Sequence, residues 1–352
     1  SDYIQGSCMI IKSIMVFLLS FNLVAGEVSF KDYVHEIAAH YEVLALKLQS
    51  EALNQESQVK GTWGDPEFKL SALNFPKETI SRNKSPMTGI KYSLIQKIAF
   101  TNKYGNIEDA YQLAAQARML DADNQKIFFI KTLWHISINK RMILSELKIL
   151  NENKEWIENT LSVSKKLYTN GKIGQQAILD IQVRRNNLEA MIYNQETTLQ
   201  IITSQLSYFN NNYSSIDLES VPWKLLDSEN IASDFVEYAH KKNLASKEQF
   251  LLAQRKSFMP DIKLELSYTR RNNLDGLGDF VGASLSFPLP FSTTQYGNYG
   301  KAIRERAIAN ATYKSYKNRK RAKVKEFTLL IKKMTNELDI LSKKTKGFAV
   351  NS

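Results

Sequence analysis

Cysteine is almost missing: the 352-residue chain has one, Cys8. A disulfide framework is thereby excluded, and no thiol follows the N-terminal apolar run to carry a lipid anchor. Proline and glycine are scarce, at 7 and 14 residues, so the chain has few places to turn and long helices fit its composition. No glycine-rich phosphate loop occurs. The four histidines, His35, His40, His135 and His240, are scattered. His35 and His40 would point to different sides of a helix, so neither zinc binding nor acid–base chemistry is indicated. The expectation is a protein that is not an enzyme and that holds no metal or cofactor. The longest apolar run also falls short of the 18 or more residues that a spanning helix needs.

That run has another use. Lys12, the apolar stretch from Ile14 to Val24 broken only by Ser20 and Asn22, and the small residues Ala25 and Gly26 make the three-part pattern of a secretory signal peptide. Cleavage is expected before Glu27, with residues 1–8 lying upstream of the start at Met9. The formal net charge is +11, but an exported chain has little occasion to meet nucleic acid, and no nucleic-acid partner is expected. The richest basic patch, Lys314 to Lys325 with Tyr313 and Tyr316, sits in a helical pattern and reads as a solvated face.

Of the residues present, 43% are hydrophobic and 24% charged, and their spacing is the main signal. Phe129, Ile136, Ile143, Leu150 and Ile157 recur every seven positions, with Leu133, Leu147 and Leu161 on an offset seam that Lys140 and Lys154 interrupt. After position 174 the seams are Ile178, Ile192, Leu199, Leu206 and Ile181, Leu188, Ile202, Phe209, broken by Arg185 and Gln195. A seven-residue apolar repeat keeps one stripe facing a partner helix. Between the two sets lies Tyr168-Thr169-Asn170-Gly171-Lys172-Ile173-Gly174, whose glycines permit a reversal. The reading is a helical hairpin, with a first arm of roughly 95 Å at about 1.5 Å per residue.

Shorter segments alternate instead. Ile262, Leu264, Leu266 and Tyr268 stand opposite Lys263, Glu265, Ser267 and Thr269, and Val281, Ala283, Leu285 and Phe287 opposite Gly282, Ser284 and Ser286. Runs at Glu67 to Phe75 and Gly89 to Ile98 read as a further strand pair. An amphipathic helix from Ser29 to about Gln58, with Val34, Ile37, Ala38, Tyr41, Leu44, Ala45 and Leu48 on one face, precedes the first pair; another, Ile231 to Phe258, precedes the second. The order of helix, strand pair and long helix thus occurs twice. The expected organisation is residues 1–26 as upstream sequence and signal peptide, 27–230 as a first repeat (strand pair 67–98, hairpin 105–210), and 231–352 as a second (strand pair 262–288, ascending helix). Strands of nine or ten residues with one apolar side suit a membrane barrel. Four of them cannot close around a channel, so several copies must share one.

These features together resemble the TolC-like outer-membrane efflux family. The resemblance runs from Glu27 to the end. It is carried by YTNGKIGQQAILDIQ at the tip, with its Tyr-x-x-Gly run and Leu179-Asp180 pair, and by SFMPDIKLELSY with VGASLSFPLPF in the second strand pair. GDPEFKLSALNFP with SPMTGIKYSLIQKIAF looks most like the branch serving heavy-metal exporters, although Ala99, Thr101 and Asn102 stand where those relatives have prolines and a glycine. The resemblance implies a mainly helical chain with membrane β-structure: long antiparallel coiled-coil hairpins, plus four strands per protomer in a trimer's common twelve-stranded barrel. It implies a passive, periplasm-spanning exit duct in the outer membrane. Its partners would be two like copies, outer-membrane lipid, a periplasmic adaptor and an inner-membrane transporter. Tyr168, Gly171, Lys172, Gly174, Ile178, Leu179 and Asp180 would meet the adaptor, and Lys263, Glu265, Ser267 and Thr269 would face the barrel lumen. A periplasmic adaptor, or a structural coiled-coil protein without a channel, is the alternative. Finally, Leu338 in NELDIL matches Leu147 in SELKIL, and the same spacing to a tip glycine places a second tip beyond Ser352. The chain is therefore expected to stop before its second hairpin returns.

Overall fold

The computed structural model describes residues 27–209, 215–223, 234–289 and 293–349, with side chains to Lys343. The signal-peptide segment lies outside the described residues. In chain order the elements are α1 (Phe30–Ala39), α2 (Tyr41–Lys60), β1 (Glu67–Leu73), β2 (Gly89–Ile98), α3 (Lys103–Thr169), α4 (Gln175–Ser207), α5 (Phe235–Lys256), β3 (Ile262–Arg271), β4 (Phe280–Ser286) and α6 (Thr293–Ala349). The expected mainly helical chain with four strands is what the structure shows. Its packing falls into two compact units, one made of the residues up to Leu44 with Gln125–Ile231, the other of Ala45–Asn124 with Ala232–Ser352.

The first unit contains the hairpin. Phe129, Leu133, Ile136, Ile143 and Leu161 of α3 are buried, as are Leu188, Ile192, Ile202 and Leu206 of α4, so both arms fill the seam that the heptads mark. Lys140, which interrupts the heptads, is buried too. Its Nζ donates to the Ile216 carbonyl at 2.7 Å and the Ser215 hydroxyl at 3.0 Å, and lies 3.5 Å from Glu27. Those contacts fix the segment 215–217, which bridges in parallel to Val28. Above them Phe30 meets Trp134 edge-on at 5.2 Å, and Trp134 meets Trp223 at 5.9 Å.

The single amphipathic helix expected from Ser29 to Gln58 is corrected to two. Ser29 caps α1 by accepting from the Asp32 N–H, and the helix stops at His40, whose backbone is extended (φ −57°, ψ 140°). The imidazole is held between Phe129 at 4.6 Å and Tyr208 at 5.1 Å. Its Nδ1 accepts the Glu42 N–H, one of the free donors at the start of α2, and its Nε2 lies 3.3 Å from the Tyr208 carbonyl. The break also moves the buried stripe. Tyr33, Ile37 and Val43 are inside, whereas Tyr41 and Leu48, expected inside, are 85% and 52% exposed.

In the second unit α5 packs against α6. Among the described residues, its buried hydrophobic side chains are all alanines: Ala110, Ala115, Ala117, Ala122, Ala239, Ala253, Ala302 and Ala309. Ser50, Ser57 and Ser246 are buried with them. Small side chains let helices approach closely, and the serines use that approach. Ser50 donates to the Ala115 carbonyl at 2.8 Å and Ser246 to that of Ala110 at 2.7 Å. The basic patch on α6 is only partly the solvated face expected. Lys320 pairs with Asp234 and Glu237 at the start of α5, while Tyr313 donates to Glu237 and Tyr316 to Asp234. From 321 to 343 every side chain of α6 is exposed.

The same unit holds the sheet, antiparallel throughout in the order β1-β2-β3-β4. β1 and β4 are its edges.

Candidate functional site

The residues expected to matter for function lie at the hairpin tip in the first unit and on the sheet in the second. At the tip, α3 ends in a Schellman motif. Gly171 takes a left-handed φ of +67°. The Lys172 N–H reaches back to the Leu167 carbonyl at 2.9 Å and the Gly171 N–H to that of Tyr168 at 2.8 Å. Two orphan carbonyls of α3 are thereby satisfied. Gly174, extended at φ −82°, is the N-cap of α4 and offers no side chain to cap it. Tyr168, Gly171, Lys172, Gly174, Leu179 and Asp180 are exposed, and Ile178 is half-buried toward the seam. A Cβ at Gly171 would meet nothing within 4 Å, so it is backbone conformation and not crowding that selects glycine there.

The sheet has two faces of opposite character. The register puts Phe68, Leu70, Tyr92, Leu94, Leu264, Leu266, Tyr268, Ala283 and Leu285 on one of them. In a water-soluble domain such a face packs on another layer. Here Phe68, Leu70, Leu266 and Leu285 are each more than half exposed. The other face carries Lys69, Ser71, Lys91, Ser93, Lys97, Lys263, Glu265, Ser267, Thr269 and Ser284, so the four positions expected to share a side, Lys263, Glu265, Ser267 and Thr269, do so. Glu265 is the hub of this face: it pairs with Lys91 at 2.7 Å and accepts from Ser93 at 2.8 Å and Ser284 at 3.3 Å.

Each end of the sheet is tied down. Before β3, buried Asp261 accepts from Lys103 (2.7 Å), Lys97 (3.1 Å) and the Tyr104 hydroxyl (2.9 Å). Burial alone would raise its pKa, but these donors outweigh burial and hold the carboxyl below the usual carboxylate range. At the opposite end Arg271 forks onto Asp275 at 3.0 and 3.1 Å, reaches the Pro86 carbonyl at 2.9 Å and stacks over Phe280. Asn272 donates to Asn83 at 2.7 Å. Both strand-connecting loops are thus joined. The heptad and alternation patterns pointed to none of these ties, nor to the buried serines. The available signal was small residues at heptad spacing, as in Ala239, Ser246 and Ala253.

Among the described residues no group of three or more His, Cys, Asp or Glu could hold a metal ion, and no helix is long and apolar enough to cross a membrane. At the level of sequence, neither a protein-family model nor a curated protein matches the chain. Solved structures do match. CusC, in a study of the conformational changes accompanying its folding and transmembrane channel formation, superposes with a TM-score of 0.64 at 12% identity, over 84% of this chain and 75% of that one. The CmeC outer membrane channel of Campylobacter jejuni gives 0.61 at 13%, over 85% and 72%. The outer membrane protein VceC of Vibrio cholerae gives 0.62 at 12%, over 82% and 75%. The chain has the TolC-like outer-membrane channel fold. Within this TolC-like fold, the two-faced sheet is the part with the alternation of membrane strands; β2 and β3 have the expected ten residues, whereas β1 and β4, at seven each, are shorter than the nine or ten expected.

Proposed function

We propose that the protein is the outer-membrane channel of a tripartite efflux or secretion system, a passive exit duct with no catalytic role and no nucleic-acid partner. The carrying observation is the sheet, with an apolar face that nothing covers among the described residues and open edges at β1 and β4. Lipid is the solvent that favours such a face. Edges exposed to lipid are not tolerated, because backbone groups there find no water, so like copies must cover them. A homotrimer closes β4 of each protomer on β1 of the next and turns Lys263, Glu265, Ser267 and Thr269 toward the lumen. The outer-membrane channels that share the fold support this reading. An adaptor or a structural coiled coil would have no use for the bare face. The tip, from Tyr168 to Asp180, is the docking point for a periplasmic adaptor, which links the duct to an inner-membrane transporter. Fractionation with cross-linking in native membranes tests the reading. A three-chain species in the outer membrane is expected; a soluble monomer with all four strands protected from exchange would overturn it.

A further inference from the structure

The polar face of the sheet is not balanced in charge. Lys69, Lys91, Lys97, Lys263 and Arg271 stand on it against two strand carboxylates, Glu67 and Glu265, and Arg271 is paired by Asp275 of the adjoining loop. Glu265 is already engaged by Lys91 and two serine hydroxyls. Lys97 and Lys263 are direct cross-strand partners, an arrangement of like charges that costs stability. On its other side Lys263 faces Ser286, which is neutral. Asp261 lies near this pair but is shared between Lys97 and Lys103. The three lysines and Asp261 line a cavity of about 590 Å³ together with Ser286 and Gln295, which leaves it with a positive surplus. Farther along, Lys69 is opposite Ser93 and makes no ion pair among the described residues. A like copy closing on β1 would bring β4, whose polar-side residues Gly282, Ser284 and Ser286 carry no compensating charge.

We propose that this face makes the passage anion-selective, with Lys69, Lys97 and Lys263 setting the preference. The proposal rests on the channel reading above. Symmetry repeats the surplus around the axis as a ring, and rings of lysine or arginine favour anions and repel cations. The low-dielectric wall of a barrel focuses that field into the lumen. The favoured solutes are small anions and molecules that present free carboxylate or phosphate groups.

Reconstitution of the purified protein in a planar bilayer under a potassium chloride gradient reads the preference as the sign of the zero-current potential. Chloride is expected to permeate faster than potassium. Lys69→Glu combined with Lys263→Glu, both at exposed side chains, should invert the sign, and Lys97→Gln should lower the chloride-to-potassium ratio several-fold while current persists. A change of sign with current retained separates loss of selectivity from loss of folding. A conducting pore that prefers potassium, or a preference that none of these substitutions moves, overturns the proposal and leaves the channel standing. Absence of current from assembled protein removes the channel reading and this proposal with it.

Discussion

The two packing units hold together by opposite means. In the first, bulky side chains such as Phe129, Leu133, Ile192 and Leu206 are buried within one chain. In the second, alanines and serines are buried, and the bulk stands outside: Phe68, Leu70, Leu266 and Leu285 on the sheet, and Phe327, Leu329, Ile331 and Leu338 along α6. The hydrophobic effect acts on area removed from water. In the second unit that area stays bare among the described residues. The difference separates a hairpin stabilised by its own seam from a unit whose sheet and distal helix keep their bulky side chains outside.

Substitutions can break or sharpen that contrast. The largest effect is expected at Leu133→Ala, which empties a fully buried site at a cost of about 2–5 kcal/mol, read as a fall in denaturant midpoint whether or not lipid is present. Leu266→Arg should cost about 2–4 kcal/mol in the membrane if it lies near the midplane, and Ser267→Arg much less. Yields of assembled protein would report this, and equal effects would contradict the assignment of faces. Ala253→Leu should cost about 1–3 kcal/mol by overpacking; a neutral or stabilising result in thermal melts would mean that the small-residue seam of the second unit is not close-packed. Gly171→Val places a β-branched residue at φ +67°, a strain of about 1–2 kcal/mol. It should lower export at unchanged trimer content, and normal export at normal protein level would remove the tip from the functional sites.

The smallest effect is electrostatic. Burial, and then the hydrogen bond to Asp234, push the Tyr316 phenol up to about 12. A raised folded pKa means that this contribution is complete below the unfolded value of about 10 and is lost as pH rises from there through 12. Tyrosinate absorbance should lose one group from its late-ionising fraction in Tyr316→Phe, while Tyr104, Tyr111 and Tyr208, which are also raised, remain. An unchanged late-ionising fraction in that variant would assign the shift to other tyrosines.

The hairpin was legible in the sequence because Leu133, Ile136 and Leu188 contrast with polar neighbours at a fixed period. The strands were legible because Leu264 and Leu266 alternate with Lys263 and Glu265. Periodicity of this kind reports bulk. It does not see Ser50 or Ser246, whose burial rests on helix backbones close enough to accept their hydroxyl protons. Nor does it see the break at His40, which rings at positions 129 and 208 hold in place from far along the chain. Lys140 read as a flaw in the seam and is instead the cation that secures the segment around Ile216. Gly171 was marked by its residue type and its place between the two heptad sets, and its left-handed backbone follows from the need to end α3 and reverse.

The sheet order also dictates when the parts can form. β1 with β2 and β3 with β4 are local hairpins, but the central ladder joins partners as distant in the chain as Gly89 and Arg271. Closing so long a loop carries an entropic cost that each half-sheet must meet before any ladder bond rewards it. The ribbons should therefore arise early and separately, and the four-stranded surface late, once the helices between them have shortened the effective loop. Until that final pairing, neither ribbon presents a complete greasy face, so the apolar surface matures only near the end of folding.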